Sequence, residues 1–96
     1  DGVVAINRAA GTAILHASGL PPTPSDKTYE VWWIGAKQEA VKAGTFEPAS
    51  DEATIVSLNL PPPGEAVTAS SVTLEPLGGL DKPTGATYLK GEFPHR

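Results

Sequence analysis

The stretch TYEVWWI, Thr28 to Ile34, is β-branched or aromatic at nearly every position, a composition that favours a pleated, extended backbone. Successive strand side chains leave on opposite faces, so Tyr29, Val31 and Trp33 share one side and Glu30, Trp32 and Ile34 the other. Apart from Glu30, both sides are apolar. That pattern predicts a central strand covered on both faces for at least part of its length. The adjacent indoles must point apart. One of them belongs to a core. The other either lies under a proline-rich loop or, if it is Trp32 that stands exposed, forms a contact platform for a sugar or partner protein with Glu30 as its polar neighbour.

Outward from this strand, short runs alternate and are cut by turn residues. Toward the N-terminus, Thr12 to Ser18 places Ala13, Leu15 and Ala17 on one face, and Val3 to Asn7 precedes it. Between Ser18 and the central strand, Gly19 to Pro24 holds prolines that lack the amide a ladder needs, so this segment is expected to cross between sheets. Toward the C-terminus come Val41 to Phe46 and Ala53 to Leu60, with a hairpin turn expected at Asp51-Glu52. Val56, Leu58 and Leu60 alternate with Ser57 and Asn59 until Pro61 stops the strand. Ala69 to Glu75 sets Val72 and Leu74 inward and Ser71, Thr73 and Glu75 outward. A long loop, Pro76 to Gly85, and a last strand, Ala86 to Gly91, complete the chain. The best helical competitor, Gly35 to Gly44, is too short and too close to glycine at both ends for more than one turn. Seven strands at about 10–12-residue spacing predict an all-β fold, a two-sheet antiparallel sandwich of the immunoglobulin-like kind.

The 96 residues make a single domain, 1–96, near the lower size for a chain that folds without staples. Ten prolines and ten glycines suit a fold of many turns. The net charge of −4, with seven scattered basic residues, argues against nucleic acid, whose binders cluster Lys and Arg to displace phosphate counterions. Cysteine is absent, which removes disulfides, thiolate metal sites and cysteine nucleophiles. No run approaches the roughly 20 apolar residues of a membrane span, and the Asp1-Gly2 start reads as that of a domain excised from a longer protein.

No constellation for bond chemistry emerges. His16 and His95 are far apart, and no His, Asp and Glu spacing gathers the three or four ligands a metal needs. No Gly-x-Ser-x-Gly elbow accompanies the serines. Glu47 and the Asp51-Glu52 pair read as strand-end and turn residues, and Gly78-Gly79 lacks the Lys-Ser/Thr of a phosphate loop. The expectation is a protein that is not an enzyme, with no cofactor, metal or catalytic residue.

Several motifs occur in order: Gly19-Leu-Pro-Pro22, Tyr29-Glu-Val-Trp-Trp-Ile34, Ala43-Gly-Thr-Phe46, and Val72-Thr-Leu-Glu-Pro-Leu-Gly-Gly79 followed by Pro83-Thr-Gly85. From about Asn7 to Gly91 the chain resembles the C-terminal, extracytoplasmic domain of the anti-sigma-K factor (RskA-like) family. The motif positions are Tyr29, Trp32, Gly44, Phe46, Glu75, Pro76, Gly78, Gly79, Pro83 and Gly85. The resemblance implies a sensory or gating domain of a single-pass bacterial membrane protein, outside the cytoplasm. It implies a sigma factor as partner of a separate N-terminal cytoplasmic segment, a membrane link only through a separate helix, and a site-1-type protease acting upstream of the domain. The alternative is a carbohydrate- or surface-binding module using Trp32. On physical grounds Gly44 marks a bulge or close approach, and Gly78-Gly79 a turn with positive φ. Pro76, Pro83 and Gly85 stiffen the loop. Two departures stand out: Glu52 where a turn glycine is expected, and the bulky Tyr88 in Ala86-Thr-Tyr88, expected to cap a sheet edge.

Overall fold

A computed structural model describes residues 2–7, 10–37, 39–48, 54–60, 67–85 and 87–92. Their strands are β1 (Gly2–Asn7), β2 (Thr12–Ala17), β3 (Lys27–Gly35), β4 (Ala40–Phe46), β5 (Thr54–Ser57), β6 (Val67–Pro76) and β7 (Thr87–Glu92). A three-stranded sheet of order β1-β2-β5 faces a four-stranded sheet of order β4-β3-β6-β7, and every pairing is antiparallel. Two sheets that each bury one apolar face form the sandwich that the alternation predicts.

The interior forms where the two alternations meet. From β2 come Ala13, Leu15 and Ala17, and from β3 come Tyr29, Val31 and Trp33, all within 3% exposure. Ala43, Phe46, Leu58 and Val72 close the cluster. Small residues on β2 let the two large aromatics of β3 enter without overpacking. Both aromatics also carry a polar end that finds a partner. The Tyr29 hydroxyl donates to the Pro21 carbonyl at 2.8 Å, and the Trp33 indole donates to the Asn59 carbonyl at 2.9 Å. Tyr29 stacks on Phe46 at 5.5 Å and meets the half-exposed Tyr88 edge-on at 5.3 Å. Gly19 to Pro24 does cross between the sheets, since β2 and β3 lie in different ones.

Three expectations change. The connection after β4 is not a hairpin, because β4 pairs with β3 and β5 with β2; Asp51-Glu52 itself lies outside the described residues. The fifth strand ends at Ser57 rather than Leu60. There the chain leaves β2 to bridge the layers: the Leu58 amide donates to the Ala13 carbonyl and the Asn59 amide to the Ala43 carbonyl, both at 2.8 Å. That bridging places Leu60 at the surface, 37% exposed. Ser71, Thr73 and Glu75 occupy the outer face as expected, yet all three are buried, which defines the site below.

The Gly44 expectation holds on both counts. Val31 pairs with Gly44 while Trp32 pairs with Lys42, so Ala43 is the extra residue of a bulge. A β-carbon at Gly44 would meet a Leu58 methyl at 3.3 Å.

Candidate functional site

The outer face of the four-stranded sheet carries Glu30 and Trp32 from β3 beside Ser71, Thr73 and Glu75 from β6. The strand register sets Trp32 opposite Ser71 and Glu30 opposite Thr73. Two carboxylates and an indole on one sheet face would ordinarily be wet. Here Glu30, Trp32 and Glu75 are all 0% exposed. Residues 77–85, the strap, are anchored over them.

The strap is tied from end to end. Where β6 ends, the Leu77 amide donates to the Asp26 carbonyl at 2.9 Å and the Gly79 amide closes a turn on the Pro76 carbonyl at 2.9 Å. Gly78 and Gly79 take φ of 95° and 77°, the left-handed region that a side chain disfavours. The reversal brings the Leu80 amide onto Glu30 Oε1 at 2.8 Å. At the far end, Glu75 Oε2 accepts from the Thr84 amide at 2.9 Å, the Gly85 amide at 3.1 Å and the Thr73 hydroxyl at 2.6 Å. Glu75 Oε1 accepts from the Thr84 hydroxyl at 2.6 Å. Gly85 lies so close to the Leu74 backbone that a β-carbon there would collide with the Leu74 carbonyl oxygen. Thr73 links the network inward, because its hydroxyl also accepts from the Trp32 indole at 2.8 Å. An exposed ion pair, Lys42 to Asp81 at 3.3 Å, adds little.

The two carboxylates differ electrostatically. Burial pushes the Glu75 carboxyl up, but bonds from the Thr73 and Thr84 hydroxyls and the Gly85 and Thr84 amides outweigh it, leaving a pKa of about 2. Glu75 is therefore an ionised clasp. Burial raises the Glu30 pKa; the Leu80 amide and Lys42 oppose the rise, and Glu75 and Asp81 add to it. Its Oε2 is buried with no hydrogen-bond partner. One clasp is fully satisfied and the other is half-satisfied.

The contact role weighed for Trp32 and Glu30 fails on exposure. With its indole bonded to Thr73 and its surface wholly covered, Trp32 presents no platform in this state, and Glu30 serves the strap rather than the indole. Of the motif residues, Tyr29 and Phe46 are core, Gly44 sits at the bulge, and Glu75, Pro76, Gly78, Gly79, Pro83 and Gly85 frame the strap. Sequence reasoning placed Glu75 on the correct face and missed its role as anchor. The available signal was the shared face of Glu30, Trp32, Thr73 and Glu75, since an indole there requires a cover. His16 is an exposed residue on the outer face of the other sheet, and His95 lies outside the described residues. Among the described residues, no three His, Cys, Asp or Glu side chains gather in a metal-holding group.

Fold and strapped face together define an immunoglobulin-like β-sandwich module. The chain belongs to the family described as anti-sigma-K factor RskA, C-terminal, whose profile matches residues 1–88. That family is regulatory. A protein of Streptomyces griseus, described as an uncharacterized protein in the phr 5′ region, is 31% identical over 94 residues. The match covers 97% of this chain and 37% of that relative, so the chain spans little more than a third of its length. No solved structure matches.

Proposed function

We propose that this domain is the extracytoplasmic gating part of a membrane-anchored anti-sigma factor. In the whole protein, a separate cytoplasmic segment holds the sigma factor and a membrane helix joins the two. The domain controls how readily a site-1-type protease cuts the linking stalk, and regulated proteolysis then frees the sigma factor. Family membership supports the anti-sigma role. The observation that carries the gating reading is the strap, the cover of residues 77–85 held over a polar network rather than over the main core. Such an element opens locally at less cost than global unfolding, and opening changes the surface seen by a protease or partner.

The test is a clean deletion of this domain from the full-length protein, read by a reporter for the cognate sigma factor. Basal output changes without any inducing signal if the domain gates cleavage. Basal and induced outputs that both match the wild type refute the proposal.

A further inference from the structure

Beside the strap, the outer sheet face opens into a cleft of about 340 Å³, at the small end of the roughly 300–1,000 Å³ range of small-molecule sites. Its floor is hydroxylic: Ser71 and Thr73 from β6, and Thr87 from β7, which stands opposite Thr73 in register. Ile34 and Ala40 form an apolar wall, and the strap residues Pro83 and Gly85 form the other.

The three hydroxyls are not equivalent. That of Thr73 is committed, donating to Glu75 and accepting from Trp32. Ser71 is only 8% exposed, and among the described residues nothing hydrogen-bonds its hydroxyl. That hydroxyl is not sealed off, since among the described residues the buried unpartnered side-chain atom is Glu30 Oε2, so it stays open to the cleft, where a ligand group can bond it in place of water. Thr87, at the mouth, likewise has no hydroxyl partner among the described residues. Among the described residues none of the lining side chains is charged, so these residues offer a charged ligand no counter-charge for the water it would lose.

We propose that this cleft binds an uncharged small molecule bearing hydroxyl or amide groups, of the size of a sugar ring. One edge of such a ligand bonds Ser71 and Thr87 together while its less polar face lies on Ile34 and Ala40. Because Pro83 and Gly85 are part of the strap, and Glu75 clasps Gly85 while accepting from Thr73, an occupied cleft stabilises the closed strap. The binding step is independent of the anti-sigma reading. Only its consequence for gating rests on that reading.

The test is an amide-shift NMR titration of the 96-residue chain with glucose, N-acetylglucosamine and, because Lys90 holds the register position opposite Ser71, the anionic glucuronate. The expected result is saturable shifts at Ser71, Thr73, Gly85 and Thr87 with at least one uncharged probe, at a dissociation constant on the order of millimolar. Ser71→Val and, separately, Thr87→Val each weaken it about tenfold, the loss of one hydrogen-bonding group. Should Ser71→Val fail to fold, the exposed Thr87→Val carries the comparison. Three results overturn the proposal: no saturable shift with either uncharged probe up to about 50 mM, undiminished affinity in the folded variants, or glucuronate binding more tightly than both uncharged probes. Sigma-factor output plays no part in this readout, so failure here leaves the gating test untouched.

Discussion

Replacing Glu75 by glutamine removes one charge and leaves the shape of the clasp nearly intact. The carboxylate accepts four hydrogen bonds, three of them from the strap at Thr84 and Gly85. Held at about 2 against an ordinary 4.5, the ionised group contributes about 3 kcal/mol at neutral pH. Counting the bonds leads to a similar figure, since four charge-assisted bonds made neutral lose on the order of 1 kcal/mol each. A loss of that size lowers the melting temperature of a domain this small by roughly 12–25 °C. The native pKa lies below the unfolded one, so the unfolded chain binds more protons in acid and this stability fades as pH falls from about 4.5 toward 2. The variant has no such group to titrate. Urea unfolding followed by tryptophan fluorescence should therefore show a difference of about 3 kcal/mol at pH 7, shrinking to about 1 kcal/mol near pH 3. A difference under about 1 kcal/mol at pH 7, or one that does not change with pH, refutes the assignment of Glu75 as an ionised clasp.

Glu30→Gln has the opposite sign. Its pKa is raised by burial, so protonation of the native state is favoured and its charge is a liability that grows as pH rises. Removing that charge should stabilise the domain at pH 7, an advantage that disappears in mild acid, again by urea unfolding. Gly79→Ala must adopt a φ of 77° and press a methyl within 2.9 Å of a Thr45 methyl and 3.1 Å of the Glu30 carboxylate. A loss of about 1–3 kcal/mol and faster amide exchange at Leu80 are expected, and unchanged exchange there would separate the turn from the Glu30 bond. Lys42→Ala breaks an exposed ion pair and removes a modest favourable charge from Glu30, so its melting temperature should stay within about 4 °C of wild type.

Local chemistry makes some features of this protein legible from the chain alone. Alternation of side chains located all seven strands, and it forced Trp32 and Trp33 to opposite faces, because a pleated backbone permits nothing else. Prolines between Ser18 and Lys27 marked a crossing, since they remove ladder donors, and the paired glycines marked a left-handed turn. What alternation cannot convey is whether a face, once assigned, is covered. Thr73 and Glu75 read only as outward, and they became buried because Thr84 and Gly85 fold back onto them. Glu30 meets Leu80 across 50 residues of chain, a contact no local pattern encodes. Likewise, the partition of β4 and β5 into different sheets depends on which strand each one pairs with. Period and turn chemistry act over a few residues and are written in the sequence. Cover and pairing depend on segments that become neighbours only when the chain closes on itself, and the tertiary structure alone decided them.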